Sequence, residues 1–220
     1  MATRRLLVEL AAACRQQTGI SIVIESVGGV DAANRVMAGE AFDVVVLASD
    51  AIDKLIASGH VMAGSKTGLV KSAVAVAVRD GAARPDAGNE TSLRQAILSA
   101  RNIGYSTGPS GTALLKLFER WGIAMEMNAR LVQSPAGMPV GQMVAEGKVE
   151  LGFQQLSELA EMPGIEIIGM MPAGCEISTT FSAGVCAVSK HADAARKILS
   201  CMQAKGMDEI KRRHYMEPVS

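Results

Sequence analysis

One segment, residues 42–58, constrains the fold more than any other part of the sequence. Residues 42–47 form an apolar run with one exception, which is typical of a strand covered on both faces. Small polar residues follow at once, and a helix is predicted to continue to Ser58. Residues 20–25 and 31–39 show the same order, a predicted strand and then a predicted helix. This alternation predicts an α/β fold in which helices flank parallel sheets.

The rest of the chain continues the alternation. Further strands are predicted at 70–78, 102–105, 131–132, 149–153, 165–171 and 181–188, and further helices at 2–17, 92–101, 113–121, 140–146, 193–205 and 207–215. The strands 70–78 and 181–188 share an unusual alanine and valine character. If both cross between two lobes, the first lobe comprises 1–79 with 179–220, and the second comprises 80–178.

A loop rich in hydrogen-bond donors precedes the helix predicted from Ala113. It contains the hydroxyl residues and glycine expected to face a ligand, namely Ser106, Ser110, Gly111 and Thr112. The first N–H groups of a helix have no internal partner and lie at the positive end of its dipole, so such a loop suits an anion. The alternative is an ordinary helix cap, in which Ser110 or Thr112 bonds only its own backbone.

Other predicted strands also end in small, polar loops. These loops are 27–30, 48–50 and 134–140, and Gln154-Gln155 form a further polar point after a strand. Ligands of open α/β sheets bind beyond the carboxyl ends of the strands, so we expect Gln154 to contribute to the same cleft. These loops contain no Arg or Lys. A site of neutral donors fits an oxyanion or small acid held by directional hydrogen bonds.

Composition excludes several classes of function. The 22 Lys and Arg residues balance 22 Asp and Glu residues, and the longest basic run is 211–213, so no nucleic-acid or membrane-surface partner is expected. The four cysteines and three histidines are scattered without metal-ligand spacing, and Cys14, Cys186 and Cys201 are expected to be buried, inert thiols. Nucleotide-binding and nucleophile motifs are absent from the sequence, so neither a cofactor, a metal nor a catalytic residue is predicted.

Three segments of the sequence resemble one known family. These are residues 42–50, the Glu-Leu-Gly-Phe-Gln-Gln-Leu-Ser-Glu segment at 150–158, and Phe-Ser-Ala-Gly-Val at 181–185. They resemble substrate-binding proteins of the molybdate-binding-like branch. The resemblance implies a two-lobed, type II periplasmic-binding fold with two crossing strands, which closes on a small anion and serves an ABC importer.

The resemblance also implies which residues bind the ligand. Ser49 would contribute from the first lobe, and the loop 106–112 with Pro139 and Val140 would contribute from the second. Molybdate binders of this branch place a tyrosine near the return crossing, but this sequence has none between Glu176 and Phe181. A small organic acid is therefore at least as good a candidate for the ligand as molybdate.

The resemblance implies a strand and a Ser/Thr loop before the first helix, whereas this sequence begins directly on that helix. This difference suggests a late gene start or a trimmed chain. If Met1 is the true start, the first lobe is expected either to self-associate through its exposed sheet edges or to have low stability. The resemblance implies a periplasmic location, while the absence of a signal peptide from the sequence implies a cytoplasmic one if Met1 is the start.

Two other functions fit the same fold. Some proteins that resemble this branch isomerise unsaturated tricarboxylic acids such as aconitate, which requires a base beside a carboxylate. Glu176 and His60 are the candidates for that base, and neither lies in a predicted site loop. The effector lobes of a transcription regulator share the fold too, but no helix-turn-helix segment precedes Ile20.

Overall fold

The computed structural model describes residues 2–135 and 137–219. Within them the α-helices are α1 (Arg4–Thr18), α2 (Gly29–Met37), α3 (Ser49–Ala57), α4 (Glu90–Ser99), α5 (Pro109–Arg120), α6 (Ala124–Met127), α7 (Val140–Ala145), α8 (Leu156–Leu159), α9 (Ala192–Gln203) and α10 (Asp208–Arg213). The strands are β1 (Val44–Ala48), β2 (Thr67–Arg79), β3 (Ile103–Tyr105), β4 (Leu131–Gln133), β5 (Leu151–Gln155), β6 (Ile165–Met170), β7 (Ser178–Val185) and β8 (Glu217–Pro218). Short 3-10 helices occupy Asn128–Arg130 and Lys205–Met207.

The chain divides into two compact units. The first unit comprises the residues up to Ser72 together with those from Thr179 onward, and the second unit is Ala73–Ser178. Strand β2 contributes its residues up to Ser72 to the first unit and the remainder to the second. Closure of the two units on a ligand stays a prediction.

The first unit is built on antiparallel strand pairs. β1 pairs with β7, so that Val44 lies opposite Val185, and β2 pairs with β7 and β8. The helices α1 and α9 cover one face through buried side chains such as Leu10 and Leu199. A second cluster, which contains Ile52, packs α2 and α3 on β1.

The predicted strand at 20–25 is wrong, and so is the parallel pairing expected in this unit. Ile20, Ile22 and Ile24 are partly buried against the core under α1, while Val23 between them is 92% exposed. This alternation of burial is the side-chain pattern of a strand, but a strand also requires a neighbour that shares its hydrogen bonds. Among the described residues no strand pairs with the outer edge of β1, so that edge is open.

The second unit contains the parallel sheet that the alternation predicted. β3 lies between β4 and β5 and is parallel to both, while β5 and β6 run antiparallel to β2. The predicted apolar face of α5 is buried, with Leu114 and Phe118 fully inaccessible. At the end of α5, Trp121 stacks on Phe118 with ring centroids 6.4 Å apart, and its indole N–H donates to Glu90 Oε1 at 2.5 Å.

The helix predicted at 207–215 is shorter in the structure. α10 ends at Arg213, and Tyr215 then adopts a positive φ of 58°. A left-handed residue cannot continue a right-handed helix, which turns the chain toward β8. β8 in turn pairs with β2 at Val70 and Lys71.

Candidate functional site

Three of the predicted site loops follow adjacent strands of the second unit. Because β4, β3 and β5 are parallel neighbours, their carboxyl ends lie at the same edge of the sheet. Ser106 follows β3, Ser134 follows β4, and Gln154 lies at the end of β5. Ligands of α/β sheets bind at such an edge. We therefore define Ser106, Ser110, Gly111 and Gln154 as the second-unit site.

The helix α5 begins at Pro109 and not at Ala113 as predicted, so Ser110, Gly111 and Thr112 lie in its first turn. Proline favours this position because its φ already suits a helix and its missing N–H needs no partner there. No side chain caps α5; its N-cap residue is Gly108. The Ser110 and Ser106 hydroxyls hydrogen-bond each other at 2.9 Å instead.

Thr112 is directed at the backbone of its own helix. Its N–H donates to Gly108 O at 3.2 Å, and its hydroxyl donates to the same oxygen at 3.4 Å. The hydroxyl lies on an exposed residue and its bond is long, so it can rotate toward a ligand, whereas the N–H is committed to the helix.

Gly111 is the position at which the geometry of this turn demands glycine. A Cβ atom at Gly111 would lie 1.8 Å from the carbonyl oxygen of Ser106, and 3.0 Å from the Tyr105 ring. The loop backbone thus packs directly against the first turn of α5. This close packing fixes the Ser106 and Ser110 hydroxyls relative to the helix N-terminus.

Gln154 connects the end of β5 to the start of α7. Its side chain is 3% exposed, and its Oε1 accepts from the N–H of Gly141 at 3.2 Å. Pro139 is the N-cap of α7, and Val140 is its first residue. The Val140 side chain is fully buried, so only its backbone could contact a ligand.

Ser134 holds its own loop together. Its N–H donates to Tyr105 O at 2.8 Å, and its hydroxyl donates to Met138 O. Ser134 is 3% exposed, so its role in the structure is to fix the segment that leads to Pro139. Residue 136, which belongs to the predicted loop 134–140, lies outside the described residues.

Ser49, the predicted ligand residue of the first unit, begins α3 directly after β1. Its hydroxyl lies 2.9 Å from that of Ser182, a residue of β7 that is 1% exposed. No side chain caps α3. The first unit therefore also has a serine pair beside an uncapped helix start, but its second serine comes from the neighbouring strand β7.

Glu158 is a residue that the sequence analysis missed. It lies in α8, four residues after Gln154 of β5, and its carboxyl hydrogen-bonds the Gln154 side chain. Burial raises the pKa of Glu158 above its ordinary value, and the bond from Gln154 opposes this effect. An acidic residue in the helix turn after a candidate strand was the available signal, within the segment 150–158 that carries the family resemblance.

The two candidate bases from the sequence lie in turns that they stabilise themselves. Glu176 is exposed, and its Oε2 accepts from the N–H of Gly174 at 2.8 Å. His60 Nδ1 bonds the Ser58 hydroxyl at 2.9 Å. Neither of them follows a strand at the carboxyl edge of the second-unit sheet.

The candidate site residues are mostly uncharged, and they include no group of metal ligands. Across the described parts of the chain, no three His, Cys, Asp or Glu side chains are grouped so that they could hold a metal ion. The second-unit site offers hydroxyls, an amide and helix N–H groups, which bind an anion by directional hydrogen bonds. No helix in residues 2–135 and 137–219 has the length and apolar character needed to span a membrane.

An open depression at the other end of α5 is separate from this site. It is lined by Glu90, Thr91, Arg94, Gln95, Leu98 and Trp121. None of the predicted ligand residues belongs to it. Its polar groups bond one another, as the Trp121 indole N–H does with Glu90 and the Arg94 guanidinium does with Trp121 O.

The fold and the serine-lined strand ends define a solute-binding protein of the periplasmic-binding class. The family model described as bacterial extracellular solute-binding protein matches residues 1–217, and the chain belongs to that family. This match and the folds of two solved structures confirm the predicted α/β fold class and the resemblance to molybdate-binding-like proteins.

Two solved structures have the same fold. The periplasmic molybdate-binding protein of Azotobacter vinelandii is 21% identical, with a TM-score of 0.79 over 99% of this chain and 96% of that one. The substrate-binding domain of a putative molybdenum ABC transporter from Clostridium difficile is 14% identical, with a TM-score of 0.74 over 100% and 96%. At these identities the likeness concerns the fold alone.

A curated relative is much more similar in sequence. An aconitate isomerase from a Pseudomonas species is 38% identical over 203 residues, which are 90% of this chain and 77% of the relative. Most of both chains is therefore aligned.

Proposed function

We propose that this solute-binding protein takes a small organic acid anion, of the tricarboxylate class, at the second-unit site. The observation that carries the proposal is the uncapped start of α5, where the Ser106 and Ser110 hydroxyls lie 2.9 Å apart beside Gly111. These groups donate without bringing a positive charge, as suits a carboxylate or an oxyanion. Thr112, Gln154 and the backbone at Pro139 and Val140 complete the proposed set of the second unit, and Ser49 is the proposed ligand residue of the first unit.

Two observations favour an organic acid over molybdate. The chain's tyrosines are Tyr105 and Tyr215, so the segment near the return crossing has none. The 38% identical relative is named for an organic acid, whereas the molybdate binder is only 21% identical. We infer further that the partner is the membrane component of an ABC importer, in line with the transporter named for the Clostridium difficile structure.

Titration calorimetry tests the ligand class. The full chain is titrated with cis-aconitate, trans-aconitate, citrate, molybdate and sulfate under the same conditions. We expect a tricarboxylate to bind at least about tenfold more tightly than molybdate, which corresponds to about 1.4 kcal/mol. Molybdate binding without carboxylate binding would contradict the organic-acid proposal.

A second candidate function is isomerisation of the bound acid, and the relative's name favours it. In an allylic shift, a base removes a proton from the methylene carbon, and a proton is returned to the former vinyl carbon. We propose Glu158 as the group that carries this proton. It hydrogen-bonds Gln154, and burial raises the pKa of its carboxyl, which brings that pKa closer to neutral pH.

Proton NMR in deuterated water tests this second candidate. We expect the wild type to interconvert cis- and trans-aconitate and Glu158→Gln to retain binding while losing turnover by about 100-fold or more. Glu119→Gln makes the same charge change on the exposed face of α5 and is the control. Binding of aconitate by the wild type without interconversion would contradict the isomerase candidate and leave binding as the function. Full turnover by Glu158→Gln would leave the isomerase candidate standing and remove Glu158 from it.

A further inference from the structure

Two of the four cysteines lie together in the first unit. Cys14 is on the buried face of α1 and is completely inaccessible, in the cluster that contains Leu10. Cys201 is on α9, is partly buried, and packs against the same cluster. They are 187 positions apart in the sequence and share no motif spacing, so only the packing of α1 on α9 brings them together.

The contacts of Cys201 locate it opposite Cys14. The Cys201 thiol donates to the side-chain oxygen of Gln17 at 3.5 Å. Gln17 lies three residues after Cys14, and residues at this spacing occupy the same face of a helix. Burial, and then the neighbouring Cys201 thiol, raise the pKa of Cys14 to about 12.

The other two cysteines have different surroundings. Cys175 belongs to the second unit, and its thiol bonds Pro172 O at 3.4 Å. Cys186 is buried in the first unit, but in the cluster formed with α2 and α3. Burial raises the pKa of each thiol, and neither is hydrogen-bonded to another cysteine in the described contacts. They supply matched controls.

We propose that Cys14 and Cys201 form a reversible disulfide that joins α1 to α9. The oxidant is a small-molecule disulfide such as oxidised glutathione. The more accessible Cys201 sulfur attacks it, forms a mixed disulfide and releases one glutathione thiol. Cys14 then attacks the Cys201 sulfur, the mixed disulfide breaks, and the second glutathione leaves with the proton from Cys14.

The rate and the setting follow from this chemistry. The attacking species is a thiolate, so the buried Cys14 makes the second step slow at neutral pH. The family to which the chain belongs is described as extracellular, and disulfides persist in oxidising compartments. The bond would close a loop of most of the chain and restrict the unfolded state strongly.

Mass spectrometry of the full chain, equilibrated in glutathione redox buffers, tests the proposal. After free thiols are alkylated and the chain is digested without reduction, we expect a Cys14–Cys201 linked peptide and a fall in free thiols from four to two. The Tm should rise by roughly 5–10 °C and return on reduction.

Variants identify the pair. Cys201→Ser and Cys14→Ala should each abolish the linked peptide and the shift in Tm, whereas Cys175→Ser should change neither. Cys201→Ser alters the more exposed partner, so the test stands even if Cys14→Ala fails to fold. Four free thiols in the most oxidising buffer, or a link that involves Cys175 or Cys186, would overturn the proposal.

Discussion

Each unit has a serine pair beside an uncapped helix start, and the strands that lead to these helices are supported differently. In the second unit Ser106 follows β3, which is hydrogen-bonded to a parallel strand on each side. In the first unit Ser49 follows β1, which is paired with β7 on one side and has no strand on the other among residues 2–135 and 137–219. Each serine hydroxyl lies 2.9 Å from that of a second serine. A serine pair therefore forms beside the helix start whether the preceding strand has two hydrogen-bonded neighbours or one.

The largest expected effect is at Gly111. Gly111→Ala would push a Cβ against the Ser106 carbonyl, so we expect a loss of about 3 kcal/mol or more in the free energy of unfolding, with loss of ligand binding. Gly108→Ala, whose Cβ would lie 3.6 Å from Ser106 Oγ, is the control in the same turn. Gly29→Ala, 3.7 Å from Leu47, is the counterpart in the first unit.

Urea unfolding and calorimetry measure these three variants. Both controls should stay within about 1 kcal/mol of the wild type, since their new Cβ atoms make ordinary contacts. A Gly111→Ala protein as stable and as tight in binding as the wild type would mean that the close packing under α5 does not support the site.

The serine hydroxyls give the next effect in size. Hydrogen bonds to a charged ligand are worth about 1.5–3 kcal/mol, so Ser110→Ala should weaken binding by about tenfold or more. Ser49→Ala should weaken it less, because β1 supports Ser49 on one side only. Thr112→Ala should also have a smaller effect, because the Thr112 hydroxyl is directed at Gly108 O. A larger loss of ligand affinity in Ser49→Ala than in Ser110→Ala, measured by calorimetry, would contradict this order.

The open edge of β1 gives a third test. We expect the first unit to self-associate along this edge, because unpaired strand groups beside apolar residues invite pairing. Val23 is 92% exposed beside partly buried neighbours, so we expect it to contribute to the contact between copies of the chain. Val23→Lys should therefore shift the protein toward the monomer. The substitution should change the free energy of unfolding of the monomer by no more than about 0.5 kcal/mol.

Sedimentation over a range of concentrations measures this association. Met125→Lys is the matched control, because Met125 is 95% exposed and belongs to a helix of the second unit, α6. If both lysine variants sediment alike, the association does not use the first unit's edge.

The smallest expected effect concerns pH. The hydrogen bond from His214, assisted by Arg213, holds the pKa of Glu9 below its ordinary value of 4.5. The stabilisation is therefore fully present above pH 4.5 and is lost as the pH falls through the lower, folded-state pKa. Glu9 is 39% exposed, so Glu9→Gln should cost no more than about 1 kcal/mol at pH 6 and nothing in strong acid.

The second unit offers the same test at Glu150. There the backbone N–H of Arg101 is the main cause that lowers the pKa of the carboxyl. Glu150→Gln should show the same disappearance of its cost on acidification, read by urea unfolding at several pH values. A cost for either variant that grows as the pH falls would contradict the direction of the pKa shift.

The sequence predicted the elements whose pattern depends only on their own residues. The buried run at 42–47 and the helical face of Leu114 and Phe118 are close to β1 and α5 of the structure. The strand prediction for residues 20–25 was wrong because alternation describes side chains only. A strand also requires a hydrogen-bonded partner, which no local pattern reveals. The start of α5 was misplaced because Pro109 was assigned to the loop, although proline is favoured at the first helical position.

The candidate site was only partly accessible from the sequence. Hydroxyl residues after predicted strands pointed to Ser106 and Ser110, and the structure adds the distance between them. The bond between Gln154 and Glu158 joins the end of β5 to α8, and neither this bond nor the burial that raises the pKa of Glu158 follows from their spacing in the sequence. The pairing of Cys14 with Cys201 depends on how α1 packs on α9, which no spacing in the sequence encodes.

Trp121, which stacks on Phe118, gives the second unit a fluorescent probe that the first unit lacks. Trp121 is the only tryptophan in the sequence, and it terminates the helix whose first turn forms the candidate site. Intrinsic tryptophan fluorescence therefore reports on the second unit alone, whereas circular dichroism records the helices of both. Melting curves that coincide in the two signals would mean that the units unfold as one cooperative body, and curves that separate would assign a transition to each.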